Sequence, residues 1–265
     1  LSQHNPLSQH LRQRGNLKTW QWRYALPLLR RSYAYADRIV AVSQSVAEDL
    51  INTLGLSKDK IDVIYNPVYD PLKKIDKSLP APHPWFIDRQ SPVLLWVGRM
   101  ATEKDVPTLF SALSILRKTQ NIRLLLVGDG PRRQDLMRQC DIFGVGDAVD
   151  FVGWHDQPQT FMAHADALVL CSRFEGLGLV AIEAMAAGCP VVATNCPGGV
   201  SEIMEGGRLG PLVPPGDPDQ LARAIEKTLK SPPTLDVLQT RAGDFSIDAS
   251  VQAYIQTMAA GNPTH

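Results

Sequence analysis

The sequence predicts an α/β fold built on a doubly wound parallel sheet, and three observations carry that prediction. Short apolar runs at 39–43, 61–65, 93–98, 123–128, 149–152, 167–171 and 191–194 are continuous rather than alternating, as strands covered on both faces are. Helical stretches at 46–53, 107–118, 131–140, 159–163, 178–187 and 218–230 fall between them. Glycines mark the strand-to-helix junctions, with Gly98 and Gly128 closing two runs and Gly176 and Gly178 preceding a helix.

Composition bounds the rest. At 265 residues the chain exceeds the roughly 100–200 typical of one domain, so two are expected. With 44% hydrophobic and 20% charged residues it can bury a core; 27 basic residues balance 27 acidic ones, so the whole-chain charge says nothing about nucleic acid, and no nucleic-acid partner is expected. Cys140, Cys171, Cys189 and Cys196 form no CxxC pair, so they read as packed, reduced thiols of a cytoplasmic protein. Residues 177–194 hold a single charge, but Gly188-Cys189-Pro190 and Glu183 break the run, which favours a helix, a turn and a buried strand over a membrane span. The opening LSQHNPLSQH has no initiator methionine and reads as the start of a fragment.

Along the chain, a stretch starting at Asn66, NPVYDPLKKIDKSLPAPHPWFIDRQSP, has six prolines and no regular period. About one and a half strand–helix units precede it, and a nearly complete set follows. Residues 246–260 form a last helix with Ser246 as N-cap. No repeat, GxGxxG or P-loop pattern is present.

In doubly wound sheets, ligands bind at the carboxyl ends of the strands, where helix N-termini attract anions. VGRMATEKD presents Arg99 and Lys104 just after Gly98, and SRFEGLGL presents the amides of Gly176, Leu177, Gly178 and Leu179. Two cations and a glycine-flanked helix start favour a diphosphate site. Taken singly, Arg99 or Lys104 reads better as part of a solvated pair at a helix start. Glu183 sits in LVAIEAMAA, which has no polar face, and an unpaired buried carboxylate is costly. It therefore faces either a buried ion-pair partner or a ligand, for which the vicinal hydroxyls of a ribose on that helix N-terminus are suitable. Glu175 is either an exposed loop charge or a contact to a phosphate-bound sugar.

These residues resemble a known family. FEGLGLVAIEAMAAGCPVVAT is similar to the E-x7-E signature of retaining GT-B glycosyltransferases of family 4, and VGRMATEKD, LLLVGDGP, VDFVGW, GGVSEI and RAGDFSIDASVQAYIQ occur in that family's order. The similarity spans about residues 30–258. It implies a GT-B-type Rossmann-like fold with an incomplete second Rossmann-like domain. Residues 1–70 would be the end of an acceptor-binding domain and 71–245 the donor domain. Residues 246–265 would return as a helix to the first domain. By resemblance, Gly98, Arg99, Lys104 and the 176–179 amides bind the donor, Glu183 the ribose and Glu175 the transferred sugar. SQHNPLSQ resembles the loop with a histidine near the reacting sugar, which makes His4 a candidate catalytic residue beside Glu175, with His10 as competitor. The family's usual glycine after the lysine is Asp105 here, acceptable as a helix N-cap.

The resemblance implies transfer of a sugar from a nucleotide diphosphate sugar, by default a UDP-sugar, to a hydroxyl of a glycan or lipid-linked acceptor, with no cofactor and no metal. A sugar-nucleotide epimerase of the same fold and a binding module without turnover are the alternatives. The chain as given is expected to be inactive alone. Residues 1–31 carry six basic residues (Arg12, Arg14, Lys18, Arg23, Arg30 and Arg31) and no acid, interleaved with Trp20, Trp22 and Tyr24. Residues 10–31 thus predict peripheral attachment to an anionic membrane surface on its cytoplasmic face. The competing expectation is a helix that packs Trp20, Leu26 and Leu29 into the first domain.

Overall fold

The computed structural model describes residues 1–9, 19–68, 70 and 80–260. A small parallel sheet joins β1 (Ser2–Gln3), β2 (Ile39–Ala41) and β3 (Ile61–Val63) in that order. A larger parallel sheet holds β4 (Val93–Val97), β5 (Arg123–Val127), β6 (Val149–Gly153), β7 (Ala167–Leu170), β8 (Val191–Thr194) and β9 (Leu212–Val213). Its order is β6-β5-β4-β7-β8-β9, which reverses direction between β4 and β7. That is the order of a doubly wound nucleotide-binding sheet, with its switch point at β4 and β7.

Successive strand residues point to opposite faces, and here both faces are covered. Leu125 and Val127 enter one buried cluster, while Leu124 and Leu126 enter the other. Helices Val106–Leu116, Arg133–Ile142 and Pro218–Lys230 contribute to the second cluster. Helices Gln44–Leu54, Leu179–Ala186 and Leu235–Gly243 contribute to the first, which therefore runs across both sheets.

The apolar runs match the observed strands with small differences at their ends. The 39–43 run leaves the sheet after Ala41 because Ser43 becomes an N-cap, its Oγ accepting the Val46 amide at 3.1 Å. β1 and β9 were not expected; each has two residues, too few to show a period. Helices Pro84–Asp88, Val200–Ile203 and Leu235–Gly243 were also missed, the first inside the proline-rich stretch. Residues 10–18, with Arg12, Arg14 and Lys18 of the basic segment, lie outside the described residues. The rest of that segment enters helix Thr19–Ala34, and its Leu26 and Leu29 pack against the first cluster, as the competing expectation has it for these two; the Trp20 side chain lies outside the described residues. All four cysteines are buried thiols.

The last helix, Ile247–Ala260, begins as expected, with Ser246 Oγ accepting the Ala249 amide at 3.3 Å. It reaches back to the segment after β3: Ser250 Oγ donates to the Tyr65 carbonyl at 2.8 Å. Beside it the Phe245 ring meets Tyr65 edge-on at 5.1 Å and lies under the Arg241 guanidinium at 4.7 Å. The Val68 amide donates to the Phe245 carbonyl at 3.1 Å. Phe245 is fully buried in this joint. Phe245→Ala should cost about 3–5 kcal/mol of unfolding free energy, the range for emptying a buried aromatic site, as measured by urea denaturation.

Candidate nucleotide-sugar site

The two strands at the switch point send out the loops that carry the predicted residues. β4 runs into Gly98, Arg99 and the short 3-10 turn Thr102–Lys104. β7 runs into residues 171–178 and then helix Leu179–Ala186. Gly178 takes φ 93°, a left-handed conformation that glycine enters freely, and so turns the chain directly into the helix.

Lys104 and Glu175 meet across this crevice. Lys104 Nζ donates to Glu175 Oε1 at 2.6 Å, and Ser172 Oγ donates to the same oxygen at 2.6 Å. The Glu175 side chain is only 11% exposed and that of Lys104 21%. Glu175 is thus not the exposed loop charge that was one reading of the sequence. Arg99 stands apart from Lys104: its Nη2 donates to Glu103 Oε1 at 2.9 Å, and its side chain is 69% exposed. Removing either partner of the enclosed Lys104–Glu175 pair would leave an uncompensated charge.

Glu183 is partly buried on the helix after Gly178. Burial raises its pKa above the ordinary carboxylate value. Among the described residues its carboxylate has no hydrogen-bond or ion-pair partner, so the ion-pair reading does not hold there. A carboxylate in this state has its full accepting capacity available to a ligand.

His4 comes to the site through its backbone. A Cβ on Gly176 would lie 1.9 Å from the His4 carbonyl oxygen, so the two chains touch only because residue 176 has no side chain. The His4 ring is exposed, with Nε2 3.1 Å from Ser2 Oγ. The competing His10 lies outside the described residues.

Sequence reasoning missed several residues. Ser172 gave no signal beyond its place at a strand end. Glu202, from the GGVSEI segment, accepts the Gln44 and Ser45 amides at 2.9 Å each and the Tyr65 hydroxyl at 3.2 Å. It thereby caps a helix of the small sheet from across the molecule. Asp105 does occupy the N-cap position of Val106–Leu116, but its carboxylate accepts no helix amide, a correction to the expected capping role. A cleft of about 420 Å³ lies between the two sheets, lined by Gln44, Ser45 and Glu48 on one side and Asn195, Cys196, Ser201 and Glu202 on the other. None of the predicted donor residues lines it. Among the described residues no group of three His, Cys, Asp or Glu could hold a metal ion, and no helix is long and apolar enough to cross a membrane.

Comparison with known proteins adds a family to this geometry. Residues 91–231 match the family model described as glycosyl transferases group 1, and residues 1–70 match that of glycosyltransferase family 4. The chain belongs to the glycosyl transferases group 1 family. Within it, the chain is 35% identical over 175 residues to the lipopolysaccharide core biosynthesis glycosyltransferase LpsE of Rhizobium meliloti, covering 64% of this chain and 50% of that protein. It is 31% identical over 202 residues to the lipopolysaccharide 1,6-galactosyltransferase of Salmonella typhimurium, covering 74% and 53%. The chain thus spans about half the length of these curated relatives. Among solved structures, Anabaena HepE in complex with UDP-glucose is similar over 98% of this chain and 71% of its own, with TM-score 0.76 and 25% identity. The apo lipopolysaccharide outer core galactosyltransferase WaaB matches over 86% and 63%, with TM-score 0.72 and 25% identity. The group 1 chain therefore has the Rossmann-like α/β architecture of GT-B glycosyltransferases.

The raised pKa of Glu183 has a signed consequence. Between the unfolded and the higher folded pKa the native state binds more protons, so this group's contribution to stability falls as pH rises through that window. Thermal melts of Glu183→Gln should match or exceed wild type at pH 7. The difference should shrink as pH falls toward the ordinary carboxylate value. A variant that unfolds at pH 7 would instead mean that the charge is needed for folding.

Proposed function

We propose that the full-length protein carrying this chain is a retaining family 4 glycosyltransferase, moving a sugar from a UDP-sugar to an acceptor hydroxyl in glycan or lipopolysaccharide synthesis. The observation that carries this reading is Glu183: a partly buried carboxylate without a protein partner, on the helix that starts at Gly178. Lys104 and Glu175 stand at the neighbouring strand end. A diphosphate on the helix N-terminus and Lys104 would bring ribose hydroxyls to Glu183 and the transferred sugar to Glu175. The relatives named for lipopolysaccharide synthesis and the HepE complex with UDP-glucose support the same substrates.

In this reading, departure of the diphosphate is the step the chain assists. Lys104, Arg99 and the 176–179 amides stabilise charge growing on the leaving oxygen. The acceptor hydroxyl attacks the same face of the sugar, so its configuration is retained. His4 lines the approach. No cofactor or metal takes part. Residues 1–70 are the closing part of an acceptor domain, 71–245 the donor domain and 246–265 the returning segment that contains helix Ile247–Ala260.

Incubating the full-length protein with labelled UDP-sugars and a glycan acceptor tests the reading. Transfer supports it, epimerised nucleotide sugar points to the other enzyme class, and binding without turnover points to a carrier. In calorimetry with UDP, Glu183→Gln should lose about 1.5–3 kcal/mol of affinity, the worth of hydrogen bonds to a charged group. Arg99→Ala and Lys104→Ala should each slow transfer, with effects less than additive because both serve one diphosphate. Unchanged kinetics in both variants would leave Arg99 as a solvated surface charge and Lys104 as a structural partner of Glu175.

A lipid-linked acceptor would place the enzyme at the cytoplasmic membrane face, attached through the basic residues of 10–31. Each Lys or Arg near an anionic surface is worth about 1 kcal/mol. Co-sedimentation of the full-length protein with liposomes should therefore require anionic lipid and fall with salt. It should weaken when Arg12, Arg14 and Lys18 are replaced by Gln. No sedimentation at low salt would leave residues 19–34 as a packing helix only.

A further inference from the structure

The turn that carries Lys104 is held at three consecutive residues. The Arg173 amide donates to the Glu103 carbonyl at 2.8 Å. The Cys171 thiol donates to the Lys104 carbonyl at 3.1 Å. Arg173 Nη2 donates to Asp105 Oδ1 at 3.1 Å. The 171–173 segment leaving β7 thus grips the loop leaving β4, directly across the switch point.

Asp105 is the unusual member of this set. It sits at φ 48° and ψ 39°, in the left-handed region that every residue with a side chain enters at some cost, aspartate and asparagine at less than most. Glycine would relieve that cost. The aspartate is nonetheless almost fully buried, at 4% exposure, and both carboxylate oxygens are used: Oδ1 by Arg173 and Oδ2 by the Thr108 hydroxyl at 3.0 Å. A strained residue persists where its surroundings over-determine it, and such places tend to be functional.

We propose that Asp105 is a positioning residue: its ion pair with Arg173 locks the Lys104 turn against the Glu175 loop and so sets Lys104 for the donor diphosphate. This inference rests on the nucleotide-sugar reading above. Lysine is a point charge on a flexible four-carbon stem, so its usefulness to a diphosphate depends on how well its backbone is held. With residues 103, 104 and 105 each tied to the 171–173 segment, the Lys104 ammonium is delivered to Glu175 at 2.6 Å. It then lies on the strand end that leads into the helix N-terminus.

Coulomb's law alone assigns Asp105 the opposite role. A carboxylate beside a diphosphate site repels the ligand, so its removal should tighten binding. Positioning predicts that the same change weakens binding, and the sign separates the two.

The experiment is calorimetry with UDP on the full-length protein. Asp105→Gly should bind UDP at least fivefold more weakly, while its melting temperature stays at or above wild type because glycine suits the backbone. Asp105→Asn should recover most of the affinity, since its amide oxygen still accepts from Arg173 and asparagine tolerates the left-handed conformation. In a Lys104→Ala background, Asp105→Gly should produce no further loss. Unchanged or tighter binding by Asp105→Gly overturns the proposal, as does an equal loss in the Lys104→Ala background, which would mark a general structural defect. Failure of the parent reading looks different. The wild-type protein would then bind no UDP, a result that removes the donor site and this inference together.

Discussion

The reversal of strand order between β4 and β7 is the constraint on which the rest of the structure depends. Strands on either side of that point send their connections to opposite faces of the sheet, so a crevice opens at the carboxyl ends of these two. The loops that enter it come from separate parts of the chain. One brings Arg99 and Lys104, the other Ser172, Glu175 and the glycines that start helix Leu179–Ala186. Their register is set by parallel pairing of Leu94 with Ala167 and Leu95 with Leu168.

The two carboxylates of the crevice are treated differently. Glu175 is satisfied, with Lys104 and Ser172 both donating to one of its oxygens. Glu183 is partly buried with no protein donor among the described residues, and burial alone raises its pKa. A protein seldom keeps a carboxylate in that state without a use for it, because desolvation is unfavourable and nothing nearby offsets it. In the donor reading, ribose hydroxyls offset the cost at Glu183, and the diphosphate shares Lys104 with Glu175.

The small sheet is attached to this crevice by contacts that tolerate little change. The His4 carbonyl rests where a Gly176 side chain would be, and Ser43 Oγ donates to the Gly176 carbonyl at 3.4 Å. Glu202 supplies the carboxylate cap of helix Gln44–Leu54, a stabilisation that depends on charge at the positive end of the helix dipole. Around these polar contacts lies the buried cluster that includes Ile39, Val42 and Leu50 from one sheet's side and Leu170, Ile182 and Ile203 from the other's. The crevice loops and the sheet-to-sheet contacts are therefore parts of one packed layer.

The sequence by itself determined the architecture and the elements that bear the candidate site. Continuous apolar runs such as 93–98 and 167–171 mark strands buried on both faces, because burial on both faces leaves no position for a polar residue. The lack of any polar face around Glu183 marked that residue as needing a partner. Tertiary structure decided the partnerships: Lys104 with Glu175, Asp105 with Arg173, Glu202 with the Gln44 and Ser45 amides, and the His4 backbone with Gly176. It also decided the two-residue strands β1 and β9, which exist only because a neighbouring strand is there to pair with. Periodicity and capping are local and recur within a few residues, so they can be read along the chain. Which loop faces which depends on strand order, and strand order is set by packing between segments far apart in sequence.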